Sequence, residues 1–336
     1  MKRLDTSLRA FVLGCLIAAT VVGSASAKMR MAWQTGDINV QLSYANATKA
    51  FEKMGLDIEL VPFASGPAIL PALAAKEVDV AWLGDFPCVT GFSNGLPIKV
   101  FMIQNASLTA NRLVANPKSG IKALADMKGK KIGVTFGSTS HGHILRALSQ
   151  AGLTQQDVTL VNLAPASMPA AYFADQVDAV LTWEPNIGEI EKSGGVRVAT
   201  SQSLGLASAV VSVGRADYIR SNGADIAKLL KVWQEGSAAF AGDRERFLGY
   251  EAKRLNMPMD QFDGLVKRMG LIVPSYKDQL SPAYFGAPGQ QTSGKFYKQL
   301  HSTAEQLVEL KRINAMPQNL ENLIDIEPLQ QFLASQ

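Results

Sequence analysis

The chain has 336 residues, of which 47% are hydrophobic and 18% are charged, and its formal net charge is +4 at pH 7. This length and apolar content allow a large folded core, which we expect to divide into two lobes. Basic residues are scattered along the chain. The sequence therefore lacks the basic patch of a nucleic-acid-binding protein and predicts no nucleic-acid partner.

The first 27 residues are typical of a secretory signal peptide. Basic residues precede an apolar run over residues 11–23, and an A-x-A triplet ends at Ala27, directly before Lys28. The run is too short to be a membrane-spanning helix with its own stop signal. We therefore predict cleavage after Ala27 and a periplasmic protein of net charge +2, because cleavage removes three basic residues and one acid. A lipid anchor on Cys15 is the alternative, although this cysteine lies inside the apolar run.

Strands and helices alternate along most of the remaining chain. Apolar periodicity predicts a first series of strands over residues 31–34, 56–63, 78–83 and 98–104, with helices over 40–54, 68–75 and 86–93. A second series of strands covers residues 112–115, 131–134, 158–162, 179–182, 196–199 and 210–213. Helices alone are predicted after these strands, over 224–241, 244–255, 261–269 and 292–312. Repeated β-α-β units predict an α/β fold with parallel sheets that helices cover on both faces.

The loops that follow the strands are the candidate ligand-binding segments, because ligands of open α/β sheets bind beyond the carboxyl ends of the strands. Two α/β series predict two lobes with a cleft between them. The loops concerned cover residues 34–37, 63–66, 84–87, 137–142 and 183–185. None of them contains Arg or Lys, which disfavours an α-amino acid ligand, since its carboxylate is expected to need a bidentate Arg.

One of these loops has the composition of an anion-binding turn. A strand ends at Thr135, a helix is predicted from His143, and between them lies a small, hydroxyl-rich turn over residues 137–142. Such a turn at a helix start directs free N–H groups and the positive end of the helix dipole at one point. It lacks the Lys-Ser/Thr of a Walker loop and the GxGxxG spacing of a dinucleotide site. An ordinary strand-to-helix connection with a serine cap is the alternative.

The loops and their flanking strands resemble those of the periplasmic solute-binding proteins of ABC importers for taurine and alkanesulfonates. The matching stretches include residues 63–87, 127–148, 177–185 and 213–218. The resemblance implies a two-lobed type II periplasmic binding protein fold that delivers its ligand to a membrane permease. In this arrangement lobe I comprises residues 28–105 and 208–336, and lobe II is the inserted segment 106–207. We expect a monomer without a cofactor, and a hinge where the chain crosses between the lobes, near residues 101–107 and 207–210.

The resemblance also implies a set of ligand-binding residues. Two lie at a helix start in lobe I, four form the facing turn in lobe II, and one is an aromatic residue that packs on the ligand: Ser65, Gly66, Ser138, Thr139, Ser140, His141 and Trp183. The sequence departs from the taurine-binding relatives at Val210, where those proteins have an aspartate, and at Glu184, where they often carry a neutral residue or aspartate.

A sulfonate suits these loops on chemical grounds as well. It is ionised at every relevant pH and its three oxygens only accept hydrogen bonds, so neutral donors on rigid helix starts make a good receptor. Phe86 and Trp183 are expected to enclose the carbon chain. Asp85 and Glu184 are expected to approach each other when the lobes close, which is unfavourable unless a cation such as an ammonium lies between them. Two solvated charges or a general acid–base pair are the alternatives.

The sequence therefore predicts a binding protein for taurine or a similar short sulfonate. Another sulfur oxyanion or a thiamine-precursor pyrimidine remains open as the ligand. The alternative from a different class is a C–S bond-cleaving enzyme, since desulfinases of related fold use a cysteine. Cys88 is the candidate nucleophile for that reading, and a buried structural cysteine is the favoured interpretation. The three histidines of the chain have no partners at metal-ligand spacing, so no metal site is predicted.

Overall fold

The computed structural model describes residues 28–336; the predicted signal peptide and Cys15 lie outside the described residues. Ten strands form two five-stranded sheets. Sheet I has the order β2-β1-β3-β10-β4, and sheet II has the order β7-β6-β8-β5-β9. In chain order the strands are β1 Met29–Gln34, β2 Ile58–Phe63, β3 Val80–Gly84, β4 Ile98–Ser107, β5 Asn111–Ala115, β6 Lys131–Val134, β7 Thr159–Asn162, β8 Ala179–Trp183, β9 Val196–Thr200 and β10 Ser208–Arg215.

Both sheets are mixed, so the prediction of purely parallel sheets is wrong. In sheet I, β1 pairs in parallel with β2 and β3, whereas β10 runs antiparallel to both β3 and β4. In sheet II, β6 pairs in parallel with β7 and β8, whereas β5 runs antiparallel to β8 and β9. The reversed strands β5 and β10 are the first strands after the chain crosses from one sheet to the other. Their buried residues are mostly apolar, and an apolar run does not encode strand direction.

Fourteen α-helices occur in the described part of the chain. They are α1 Val40–Thr48, α2 Ala50–Lys53, α3 Leu70–Ala74, α4 Asp85–Ser93, α5 Thr139–Gln150, α6 Met168–Phe173, α7 Asn186–Lys192, α8 Ala216–Ser221, α9 Gly223–Gly242, α10 Arg244–Arg254, α11 Met259–Met269, α12 Tyr276–Gln279, α13 Lys295–Glu309 and α14 Glu327–Ala334. The predicted helix over residues 40–54 is divided at Lys49, which has a left-handed backbone with φ 56°.

Each sheet has its own hydrophobic core. The larger core contains sheet I with α9, α13 and α14, and the smaller clusters pack on the two faces of sheet II. A separate cluster joins α10 and α11 to the start of α1. Within residues 28–336, the model contains no helix that is both long enough and apolar enough to cross a membrane.

The two halves of the molecule contact each other through the first turns of α4 and α5. A Cβ atom placed on Gly142 of α5 would lie 2.6 Å from the ring of Phe86 in α4, so only glycine allows this approach. Helix α13 packs on both α4 and α5. The starts of α4 and α5 are therefore held together at the edge where the loops of both sheets meet.

Candidate ligand-binding site

A small cavity lies between the loops of the two sheets. Its volume is about 60 Å³, several times the roughly 10–15 Å³ that one water molecule requires. Polar side chains, helix starts and apolar side chains from both sheets line it, among them Gln34, Asp37, Gly66, Gly84, Asn105, Asn111, Ser138, Thr139, Trp183, Ser208 and Val210. The cavity is thus suited to a small molecule.

The start of helix α5 forms one side of this cavity. Ser138 is the N-cap residue, and its hydroxyl oxygen accepts a hydrogen bond from the His141 amide at 3.4 Å. Both Ser138 and Thr139 line the cavity, and Thr139 is half-buried. The first N–H groups of a helix have no partners within it, and they carry the positive end of its dipole. The predicted anion-binding turn therefore faces the cavity.

Two residues of the same turn point elsewhere. The Ser140 hydroxyl donates to the Asn111 side-chain oxygen and is fully buried. The His141 ring stacks on Phe136 with centroids 4.9 Å apart, and its Nδ1 accepts from the Gly137 amide at 3.1 Å. Burial, with a smaller contribution from the charge of Arg312, lowers the pKa of His141 to about 4. The structure thus places a neutral His141 beside the cavity and does not bring it to the lining as a donor.

In the first half of the molecule, Gly66 lines the cavity, whereas Ser65 and Phe86 do not. Ser65 is buried just before the short 3₁₀ turn that begins at Gly66. Phe86 is 3% exposed, and its ring packs against Gly142 and against the His141 ring. The centroids of the Phe86 and His141 rings are 6.1 Å apart. The expectation that Phe86 encloses the ligand is therefore not supported; this ring packs helix α4 onto helix α5.

Trp183 lines the cavity at the end of β8, where an aromatic wall is expected. Its indole Nε1–H donates to the Gly36 carbonyl oxygen at 3.0 Å. Gly36 follows β1 in sheet I, so this bond joins the two halves of the molecule across the cavity. A buried indole N–H needs an acceptor, and here the acceptor comes from the opposite sheet.

Glu184 does not line the cavity, and its expected role as an ammonium receptor is not supported. Its side chain is 0% exposed and forms an ion pair with Arg112, whose side chain is 1% exposed. The Gly188 amide donates to its second oxygen at 3.1 Å. Arg112 also donates to the Thr109 carbonyl at 2.7 Å and lies 3.2 Å from Glu191. The carboxylate is therefore already neutralised inside sheet II.

Asp85 joins three helices rather than facing the ligand space or Glu184. One carboxylate oxygen accepts from the Thr139 hydroxyl at 2.8 Å and from the Phe86 amide at 2.8 Å. The other accepts from the Gln299 carboxamide, which also donates to the Ala207 carbonyl at 2.8 Å. Burial raises the pKa of Asp85, and the bonds from Thr139 and Gln299 oppose that shift. Asp85 therefore connects α4 to α5 and α13.

Cys88 is buried and lacks the accessible thiolate that a nucleophile requires. Its thiol is 0% exposed and donates to the Gly84 carbonyl at 3.2 Å. Burial, reinforced by the charge of Asp85, raises the pKa of the thiol well above its usual range, so the thiolate is disfavoured. Within residues 28–336, no three His, Cys, Asp or Glu side chains are grouped to hold a metal ion.

Asp37 is a cavity residue that the sequence reasoning missed, although its loop was among those singled out. It is half-buried, and its carboxylate accepts from the Ile38 amide at 2.8 Å. Burial raises the pKa of Asp37 to about 7, with Glu251 adding to the shift and Arg254 opposing it. An acid directly after β1 and before a helix start is the signal in the sequence that could have identified it.

Comparisons with known proteins agree with the geometry. The NMT1/THI5-like family matches residues 40–246, which is more than half of the chain. An Escherichia coli protein named for binding aliphatic sulfonates is 28% identical over 287 residues, covering 83% of this chain and 86% of that protein. The taurine-binding periplasmic protein of E. coli is 32% identical over 182 residues, covering 51% of this chain and 56% of that protein.

A solved structure extends the comparison to the fold. The alkanesulfonate-binding protein from Xanthomonas axonopodis pv. citri, bound to MOPS, superposes with a TM-score of 0.73 at 22% identity. The match covers 89% of this chain and 98% of that one. The predicted periplasmic binding protein fold and the resemblance to sulfonate-binding and taurine-binding proteins are therefore confirmed. On these grounds the chain belongs to the NMT1/THI5-like family.

Proposed function

We propose that this protein is the solute-binding component of an ABC importer and captures a short aliphatic sulfonate such as taurine. The observation that carries the proposal is the start of α5, where Ser138 and Thr139 line a small cavity whose described lining contains neither Lys nor Arg. A sulfonate needs hydrogen-bond donors without acceptors, and a helix start supplies them together with a favourable dipole. The names of the E. coli relatives support the same ligand class.

The second source of donors is the side chain of Asn105 in β4. It lines the cavity and is 6% exposed, and its carboxamide makes no hydrogen bond within residues 28–336. A buried amide without a partner loses free energy, so this group is well placed to bind a ligand oxygen. We propose that Ser138, Thr139, Gly66 and Asn105 surround the sulfonate while Trp183 contacts the carbon chain.

The ligand is enclosed by closure of two lobes. We propose lobe I as residues 28–105 and 208–336 and lobe II as residues 106–207, with one sheet in each. The bonds from Thr139 to Asp85 and from Trp183 to Gly36 then cross between the lobes and form on closure. Next to the proposed hinge, the Asn111 carboxamide donates to the Ser208 hydroxyl at 2.6 Å. This hydrogen bond connects the two segments of the chain that cross between the lobes.

This function implies a periplasmic, monomeric protein that is processed after Ala27 and delivers its ligand to a membrane permease. It also implies that the ligand leaves unchanged. The buried, protonated thiol of Cys88 supports binding over C–S bond cleavage, because that chemistry needs an accessible thiolate.

Mass spectrometry of the exported protein tests the proposal. The intact mass is expected to start at Lys28, and native spectra are expected to show a bound small sulfonate, since a closed cavity retains its ligand. Calorimetry with taurine and other short sulfonates then measures affinity, and analysis of the recovered ligand shows whether it is intact. A bound aminopyrimidine would instead indicate a thiamine-precursor binding protein, and a consumed sulfonate would indicate an enzyme.

A further inference from the structure

Asp37 is the one formally charged side chain among the described residues that line the cavity. A carboxylate repels a purely anionic ligand, and in a closed cavity that repulsion is weakly screened. The proposed sulfonate site at α5 and Asp37 therefore line the same cavity. A ligand that satisfies both must carry a positive group as well as the sulfonate.

The nearby arginine does not neutralise the Asp37 carboxylate. The Arg254 guanidinium pairs with Glu251 through bonds of 2.7 and 2.6 Å and lies over the Trp33 ring at 5.7 Å. Its bond to Asp37, at 2.8 Å, goes to the main-chain oxygen. Arg254 thus fixes the loop, and its charge is shared with a fully buried glutamate.

Glu251 and Arg254 together position Asp37. Glu251 is 0% exposed and accepts from the Asn39 amide at 2.6 Å and from the Ser43 hydroxyl. The Asn39 carboxamide donates to the main-chain oxygen of Asp37 at 2.8 Å. Asn39 and Arg254 therefore both hold the main-chain oxygen of Asp37. The carboxylate accepts only from the Ile38 amide, and its second oxygen has no hydrogen bond within residues 28–336.

We propose that Asp37 binds a cationic group of the ligand, so that the protein selects short zwitterionic aminosulfonates over sulfonates with a neutral tail. This inference rests on the proposed function and assigns its specificity to one residue. An ammonium and a carboxylate at a site shielded from solvent attract each other, and this attraction offsets the cost of desolvating both charges. A sulfonate with a hydroxyl in place of the ammonium would leave the carboxylate unpaired.

Taurine and isethionate form a matched ligand pair, because they differ only in an ammonium or a hydroxyl at the same position. Calorimetry at pH 8 is expected to show that the wild-type protein binds taurine about 10- to 100-fold more tightly than isethionate. In Asp37→Asn this preference is expected to disappear, because taurine binding weakens while isethionate binding is retained or improved. Asp37→Glu keeps the charge and is expected to retain a preference for taurine.

The pH dependence gives a second, independent readout. The groups that face Asp37 are Glu251 and Arg254 of α10, and the pKa of Asp37 is raised to about 7. Lowering the pH from 8 to 5.5 protonates the carboxylate, so taurine is expected to bind about tenfold more weakly and isethionate no more weakly. Asp37→Asn is expected to lose this pH dependence.

Asp85→Asn is the matched control, because Asp85 is a buried acid near the cavity that does not line it. It is expected to change the affinities for both ligands by a similar factor and to leave their ratio unchanged. Equal wild-type affinities for taurine and isethionate, with no effect of Asp37→Asn on their ratio, would overturn the assignment and leave the proposed sulfonate function standing. Failure of the wild-type protein to bind either ligand would overturn the proposed function itself.

Discussion

Glu184 and Asp37 are both acids in loops that follow strands, but the fold gives them opposite electrostatic surroundings. Glu184 is fully buried inside sheet II against Arg112, and the Gly188 amide completes its hydrogen bonding. Asp37 is half-buried at the cavity. The nearby Arg254 donates to Glu251 and to the main-chain oxygen of Asp37, and not to its carboxylate. A buried acid that is paired with its own cation has a structural role. An acid that lines a cavity and has no such cation is available to a ligand.

The difference shows that the residue type and the loop position do not distinguish the two roles. What decides is whether a nearby arginine binds the carboxylate, and in both cases that arginine lies far away in the sequence. Arg112 precedes Glu184 by 72 residues, and Arg254 follows Asp37 by 217. Variants that change one acid at a time can therefore test whether stability and ligand selection are divided between them.

Glu184→Gln is expected to cause the largest loss of stability. The substitution keeps the shape of the side chain but removes the buried charge of Glu184 and leaves Arg112 paired with Glu191 at 3.2 Å. Breaking a buried ion pair lowers the free energy of unfolding by about 3 kcal/mol or more. Denaturant unfolding measures the change, and Lys118→Gln is the control because its pair with Asp175 is solvent-exposed. Equal stability of Glu184→Gln and wild type would contradict a structural role.

Acid destabilisation is expected to depend on His143, which is 4% exposed. Burial lowers its pKa to about 4, so the unfolded chain takes up its proton at a higher pH than the folded protein. The contribution of His143 to stability is therefore complete above about pH 6.5 and is lost as the pH falls towards 4, by about 3 kcal/mol. Asp37 contributes with the opposite sign over this range because its pKa is raised.

The comparison that isolates this effect is His143→Gln against wild type, in denaturant unfolding at a series of pH values. The variant is expected to lose less stability than wild type between pH 6.5 and pH 4. Parallel stability curves for the two proteins would mean that His143 titrates equally in the folded and unfolded states.

Thr139→Ala tests the contact between the starts of α4 and α5 beside the cavity. It removes the hydroxyl that bonds to Asp85 and lines the ligand space. We expect sulfonate affinity to fall by about 1–2 kcal/mol, the value of one hydrogen bond to a charged group, because the proposed closure around the ligand loses its bond to Asp85. The free energy of unfolding is expected to change little because Thr139 is half-buried. Calorimetry measures the affinity, and Thr139→Ser is expected to restore it. An unchanged dissociation constant for Thr139→Ala would show that ligand binding does not depend on the bond between Thr139 and Asp85.

Asp37→Asn is expected to raise stability, in contrast to the loss expected for Glu184→Gln. The raised pKa means that the carboxylate destabilises the folded protein increasingly as the pH rises from about 4 to about 7, and by a constant amount above that. Without ligand, the variant is therefore expected to be more stable than wild type at pH 8 by about 3–4 kcal/mol and equal to it near pH 4. Thermal unfolding at both pH values measures this. A loss of stability at pH 8 would show that Asp37 has a structural partner, as Glu184 does.

The sequence alone determined the elements, the family resemblance and the anion-binding turn. Apolar alternation and helical periodicity are local properties, so the order of strands and helices follows from them directly. The turn before α5 is likewise local, because its small hydroxyl residues and helix start lie within six positions. This is why Ser138 and Thr139 could be assigned to a binding loop before their surroundings were known.

Only the tertiary structure decided the strand directions of β5 and β10 and the roles of the acids. A buried strand reads the same in either direction, and its pairing is set by where the chain crosses between the sheets. The charge state of a buried acid depends on desolvation and on partners brought close by folding, which local sequence does not encode. For this reason Glu184 was predicted to meet a ligand and instead pairs with Arg112, while Asp37 was passed over and faces the cavity.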